Sequence, residues 1–336
     1  MLQEQLDLSD AGYDPMIELN SASRIAAQIR RGDRSAVTTI EAALARITEL
    51  DGRLNAFTLV RAREALLEAE VQDRQPTGNR GPLAGVPVAV KEEYDVAGCV
   101  TTHGGFGNST PAAANGPVVR KLRAAGAIIV GRTNMPEFGQ FPVTESLRFG
   151  ATRNPWDQTR SPGGSSGGSA VAVATGMAAV GMSSDGGGSI RIPASACGLI
   201  GLKPTRGRVS SAPPPQRWHG MTGFGPITRT VADAALVLDL ISGNEPTDQW
   251  RLEPATGSFA AGLENQPGQL RILGASNSVT PGIRTDPLIQ SAITDLLDRM
   301  VGLGYEVLTG SVRWPSPVTS FLTLYLSGIR TAAGCM

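Results

Sequence analysis

Histidine is nearly absent from this chain of 336 residues: His103 and His219 are its only two. Zinc sites built on two or three histidines are thereby close to excluded, and a Ser-His-Asp hydrolase would have just two candidates for its base. Lysine is almost as scarce. Lys91, Lys121 and Lys203 are the whole set, so 27 of the 30 basic residues are arginine. Net charge is missing too, with 30 basic against 30 acidic side chains. That removes the basic surplus of a nucleic-acid binder. With 41% hydrophobic residues it also removes the signature of a disordered chain. The three cysteines, Cys99, Cys197 and Cys335, are odd in number and match no metal-ligand spacing. They predict no cysteine metal site and a reducing, cytoplasmic setting without a disulfide framework; no metal and no cofactor are expected for the chain. The first fourteen residues, MLQEQLDLSDAGYD, hold no apolar core and do not read as a signal peptide. The charge-free stretch 161–184 is long enough to span a bilayer, but it contains no Leu, Ile or Phe and opens SPGGSSGG. It reads as a buried loop and helix, not a membrane span.

What is abundant is glycine and proline, 41 and 23 residues, nearly a fifth of the chain against roughly 12% on average. The length admits one domain or two. Residues 17–75 carry helical periodicity. Ile17, Leu19, Ile25, Ala26 and Ile29 suit one face of a first helix that Gly32 stops, and Ser35 opens a second run through Val37, Ile40, Ala43, Leu44 and Ile47. A third run covers 61–73. From Pro82 the pattern changes: 85–91 is a short β-branched strand, 118–125 a helix and 127–130 another strand. Strand, helix, strand with short links predicts an α/β fold with parallel pairing. Further helices are expected over 169–179, 230–241 and 288–301, with strands over 270–273 and 305–308. The stretch 210–225, with three consecutive prolines, is the most loop-like and reads as a surface connection or an active-site flap.

Two features carry chemistry. Lys91 ends an apolar strand. Position alone leaves two readings: a lysine snorkelling to water, with Glu92 or Glu93 keeping it charged, or a neutral amine serving as a base. The second feature is glycine density, with nine glycines between 161 and 190. The clusters are SPGGSSGGS over 161–169 and DGGGSIRIP over 185–193. Three consecutive glycines before Ser189 can aim several N–H groups into one concavity, as an oxyanion hole requires. A phosphate loop is the rival, but no G-x-x-x-x-G-K-[ST] occurs. Residues 163–167 also satisfy G-x-S-x-G. That nucleophile elbow needs a strand just before it, and the preceding NPWDQTRSP cannot form one.

These segments together resemble the amidase signature family of hydrolases. The resemblance rests on GPLAGVPVAVK (81–91), GGSSGGS (163–169), DGGGSIRIP (185–193), CG (197–198) and GLKPT (201–205). It continues through TNMPEF (133–138) and GPITRTVAD (225–233), so it covers nearly the whole chain. It implies a single domain over 1–336, with a helical layer over 1–75 and a catalytic α/β core over 82–310. The core would be a large mixed central sheet covered by helices on both faces. It implies a Ser-Ser-Lys triad, with Ser189 as nucleophile, Ser165 as bridging serine and Lys91 as base. It places a cis peptide between Gly164 and Ser165, and makes the N–H groups of Gly186, Gly187, Gly188 and Ser189 the oxyanion hole. Asp185 and Arg191 are expected to support that loop. Family catalytic domains run past this length, so the family's C-terminal section is expected to be missing, leaving apolar faces exposed and solubility poor.

The implied activity is hydrolysis of a small carboxylic amide to a carboxylate and ammonia or an amine through a Ser189 acyl-enzyme. Neither a nucleic-acid nor a membrane partner is implied, and a homodimer stays open. Two alternatives remain: the glutamine-hydrolysing amidase subunit of a tRNA-dependent amidotransferase, and a truncated non-catalytic paralogue that only binds.

Overall fold

The computed structural model describes residues 21–212, 217–265, 267–275, 283–311 and 317–334. They divide into two compact units, one holding the chain up to Ala260 and again from Gly328, the other 261–327.

The first unit is built on a sheet of six strands. These are β1 (Phe57–Val60), β2 (Pro87–Lys91), β3 (Ile128–Thr133), β6 (Val180–Asp185), β7 (Ile200–Gly201) and β8 (Gly223–Thr228), in the order β1-β3-β2-β6-β8-β7. The three central strands, β3, β2 and β6, run parallel; β1, β8 and β7 pair antiparallel at the flanks. A separate two-strand ribbon joins β4 (Glu145–Ser146) to β5 (Gly150–Ala151). The parallel pairs arise as expected: α4 (Pro117–Ala124) crosses from β2 to β3, and α5 (Gly167–Ala174) precedes β6. Every residue of β2, β3 and β6 is buried. Successive side chains of a strand point to opposite faces, so both faces of the sheet centre are covered.

The helical start follows its capping signals. In α1 (Ala22–Arg31) the Ser21 hydroxyl accepts from the Arg24 amide at 3.2 Å, and Gly32 ends the helix at φ 83°. In α2 (Ala36–Leu54) Ser35 does the same for Thr38. Two distant carboxylates finish these ends. Asp73 in α3 (Ala62–Arg74) accepts the Ala36 and Val37 amides, and Asp233 in α7 (Val231–Ile241) accepts those of Ala22 and Ser23. Ile25, Ile29, Ile40, Leu83, Val90 and Ile129 join one core.

Three details depart from the periodicity. The 1–75 layer is not purely helical, because 57–60 forms edge strand β1. The expected helix 169–179 stops at Ala174, and Val180 already begins β6. The loop-like stretch 210–225 ends inside a strand: β8 begins at Gly223 and carries Pro226, yet five of its six residues face β6 as partners. Residues 17–20 of the first periodic run lie outside the described residues.

The second unit is a small βαβ piece. Strand β9 (Arg271–Gly274) pairs in parallel with β10 (Glu306–Thr309), and α9 (Pro287–Gly302) connects them, capped by Asp286 with Pro287 at its first position. A short α8 (Phe259–Gly262) and the final α10 (Val318–Gly334) are shared between the units. Among the described residues no helix is long and apolar enough to cross a membrane. The stretch 161–184 forms a loop, α5 and β6 instead.

Candidate active site

The three lysines have three different surroundings. Lys121 donates to the carbonyls of Ile241, Ser242 and Gly243 at 3.2, 2.8 and 3.1 Å, closing the C-terminus of α7. Burial draws its ammonium below the ordinary lysine range. Lys203 reaches the Pro204 carbonyl at 2.9 Å. Lys91 is the buried one, 1% exposed, at the last position of β2. Its Nζ donates to Ser165 Oγ at 2.8 Å and to Ser184 Oγ at 2.9 Å, and lies 3.2 Å from Glu93 Oε1. Of the two acids after Lys91, Glu93 is therefore its partner. Glu92 turns to Arg132, 3.4 Å away. The snorkelling reading fails on burial.

Ser165 is held from several sides. The Gly164–Ser165 peptide is cis. A side chain on Gly164 would collide with the Val143 carbonyl, so this position admits only glycine. Thr144 ties the loop at both ends: its hydroxyl donates to the Gly163 carbonyl and accepts the Gly167 amide, each at 2.9 Å. The next residue, Ser166, donates its amide to the Ser189 carbonyl at 3.3 Å and its hydroxyl to the Ser184 carbonyl at 3.3 Å. The two glycine-rich clusters, some twenty residues apart in sequence, are thereby bound to each other. No strand precedes Gly163, so the elbow pattern over 163–167 lacks its context.

Ser189 follows β6 in the turn before α6 (Arg191–Ala196). Among the described residues no hydrogen bond joins its hydroxyl to Ser165. The fully buried Asp185 shapes this turn. Its Oδ1 accepts the Gly188 amide at 2.6 Å and its Oδ2 the Ile190 amide at 3.3 Å. Arg191 binds the same carboxylate through two nitrogens at 2.8 and 2.9 Å. Burial raises the Asp185 carboxyl, but Arg191 and the loop amides together hold it below the usual carboxylate range. The hydrogen bonds from Arg191 to Asp185 push its guanidinium the other way, up. Asp185 and Arg191 thus sit where supports of the loop were expected. Of the four expected donors, Gly188 is the one whose amide donates to Asp185. The amides of Gly186, Gly187 and Ser189 donate to no protein acceptor among the described residues outside regular strands and helices.

Two residues were missed in the sequence. Ser184 belongs to no motif of its own, yet the run Ser183-Ser184-Asp185 at the end of a strand, just before the glycines, is a signal that a polar face begins there. Trp218 lies against Gly186, where a Cβ would sit 2.7 Å from the indole. The residue places this part of the loop against the second glycine cluster. Residues 213–216 of that loop lie outside the described residues. No group of three or more His, Cys, Asp or Glu able to hold a metal occurs among the described residues.

Known proteins share this arrangement of chain. The amidase family model matches residues 38–334. AmiB2 of Mycobacterium tuberculosis, named as a putative amidase, is 44% identical over 315 residues, which is 93% of this chain and 66% of that protein. A glutamyl-tRNA(Gln) amidotransferase subunit of Geobacter sulfurreducens is 40% identical over 91% of this chain and 63% of its own length. Among solved structures, 6-aminohexanoate cyclic dimer hydrolase superposes with a TM-score of 0.80 at 33% identity, over 88% of this chain and 61% of that one. Native peptide amidase from Stenotrophomonas maltophilia gives 0.77 at 31%, over 91% and 64%. The chain thus spans about two thirds or less of each protein. With a family model matched over most of its length, on a mixed α/β sheet shared with solved amidase signature enzymes, this chain belongs to the amidase signature family.

Proposed function

We propose that the protein hydrolyses a small carboxylic amide through an acyl-enzyme on Ser189, with Ser165 and Lys91 relaying the proton. The observation that carries this reading is the buried contact of 2.8 Å between Lys91 Nζ and Ser165 Oγ, on the loop whose next amide holds the Ser189 carbonyl. A lysine with two hydroxyls at hydrogen-bond distance can exchange protons with them; an arginine in that place could not.

The steps follow from these groups. Ser189 Oγ bonds to the amide carbon as its proton passes to Ser165 Oγ and the Ser165 proton passes to neutral Lys91 Nζ. The carbonyl electron pair moves onto oxygen, where the amides of Gly186, Gly187 and Ser189 are the candidate donors; each such donor is worth about 3–4 kcal/mol in comparable hydrolases. Collapse of the tetrahedral intermediate breaks the C–N bond, and the proton returns through Ser165 to the departing amine. Water then repeats the sequence on the ester. Gly188 supports the turn through Asp185 and is no donor to the oxyanion.

A panel of aliphatic, aromatic and peptide amides tests the reading, with glutamine included because the Geobacter relative is named as part of an amidotransferase. Ser189→Ala and Lys91→Ala should each lower turnover by about 10⁴-fold or more. An activated phosphonate should add its mass at Ser189. Turnover by Ser189→Ala at the wild-type rate overturns the proposal. Turnover of glutamine alone would move it to the amidotransferase class.

A further inference from the structure

The mechanism above leaves one buried charge without a task. Glu93 is 5% exposed, and its Oε1 stands 3.2 Å from Lys91 Nζ. The first proton transfer needs Lys91 as a neutral amine, whereas a carboxylate at that distance favours the ammonium. The two requirements oppose each other before the reaction and agree during it. As the proton moves from Ser189 through Ser165 to Nζ, positive charge develops on the lysine, beside Glu93.

The surroundings give Glu93 this place and leave its neighbours occupied. Glu92, on the same turn, pairs with Arg132 at 3.4 Å and accepts the Thr102 and Gly104 amides at 3.0 and 3.1 Å. On β6, Asp185 is taken by Arg191 and the loop amides. The Tyr94 hydroxyl donates to the Ser183 carbonyl at 2.8 Å. On the segment that follows β3, Glu137 lies against Gly105. Glu93 also borders a cavity of about 20 Å³ with Asp95, Ser210 and Phe224, room for one water molecule. That cavity shares Asp95, Gly116, Pro117 and Ala212 with a cleft of about 540 Å³. The carboxylate thus meets the lysine at Oε1, and its residue borders a water-sized cavity.

We infer that Glu93 is a positioning residue for the amide hydrolysis proposed above, holding Lys91 against Ser165 and stabilising the ammonium that forms during acylation. This inference rests on that reading. Its cost is a displaced pH range, because the same charge reduces the fraction of neutral lysine at a given pH. Replacing the carboxylate by an amide of equal shape removes both effects at once. The acid limb of kcat/KM moves to lower pH, and the plateau at high pH falls.

The experiment is a pH profile of kcat/KM for wild type, Glu93→Gln and Glu93→Asp on the amide that the panel identifies, with Ser189→Ala in parallel. Glu93→Gln should move the acid limb down by about one pH unit or more and lower the plateau by about three- to tenfold. Glu93→Asp retains the charge but withdraws it by one methylene, so its limb should shift in the same direction by less. A merely structural carboxylate would change the melting temperature and leave the limb in place. If Glu93→Gln does not fold, an unmoved limb in Glu93→Asp overturns the inference. If Ser189→Ala is inactive while the limb and plateau of Glu93→Gln match wild type, the inference on Glu93 falls alone. If Ser189→Ala keeps its turnover, the acyl-enzyme reading falls and takes this one with it.

Discussion

Glu92 and Glu93 are consecutive acids after the same strand, and each meets a buried cation from a different direction. Glu92 meets Arg132 of β3, which is 1% exposed. Arg132 donates to the carbonyls of Val100, Glu92 and Tyr94 at 2.5, 2.5 and 3.0 Å. Glu92 in turn accepts two amides of 102–104. The pair is a brace that closes the loop after β2 with carbonyls and amides, which neither give nor take protons at neutral pH. Glu93 meets Lys91, which also donates to two hydroxyls. The elementary interaction is the same in both places; the surroundings separate a tie among groups that keep their protons from one among groups able to exchange them. The residue types agree with this division, since a guanidinium stays charged and an ammonium can lose its proton.

The most severe test of this comparison is a pair of substitutions read in denaturant melts. Arg132→Met removes the cation paired with buried Glu92 and should cost about 3–5 kcal/mol. Lys91→Met leaves Glu93 beside its water-sized cavity, where hydration offsets part of the loss, and should cost about 1–2 kcal/mol. Equal losses would erase the distinction between brace and reactive pair.

A third ion pair sharpens it. Asp185 is fully buried while the side chain of Arg191 is 56% exposed. Asp185→Asn should cost about 2 kcal/mol at neutral pH through weakened charge-assisted hydrogen bonds. The pH dependence has a definite sign. The folded carboxyl lies below its unfolded value of about 3.9, so its contribution is complete above that value and is lost as pH falls through the lower, folded one. Wild type and Asp185→Asn should therefore converge in stability as pH drops below about 4. A gap that persists unchanged at about pH 2 would show that the loop does not depend on the charge.

The smallest expected effect concerns burial with no ionic partner. Cys197 packs in the core with its thiol near the Pro162 carbonyl, and burial pushes it up to about 12. At about pH 8 it should resist iodoacetamide in the native state, while the half-exposed Cys99 reacts, as peptide mapping would reveal. Labelling of both at one rate would mean that the core around Cys197 opens.

Much of this was legible in residue order, for physical reasons that differ by element. The ends of α1 and α2 were marked because Gly32 and Ser35 satisfy helix-terminal groups locally. The β2–α4–β3 unit was marked because a buried parallel strand is a short apolar run. By contrast, β8 carries Gly223, Gly225 and Pro226, residues that argue against a strand; it forms because β6 on one side and β7 on the other pair with it. Strand β1 was hidden for a related reason, since four residues at a sheet edge leave almost no periodicity to read.

The same boundary runs through the site. The sequence by itself determined which groups are available: one lysine on an apolar strand, two serines within glycine clusters, and almost no histidine. It also located Asp185 and Arg191 beside the second cluster, through the family pattern they complete. Only the tertiary structure decided which acid faces Lys91, that Ser184 stands beside Ser165 as a second hydroxyl partner, that the Gly188 amide belongs to Asp185, and that Trp218 lies over Gly186. Those choices depend on the register of β2 against β6 and on the direction of each side chain as it leaves its strand. Such directions are settled by contacts between residues far apart in the chain, and short-range order carries no record of them.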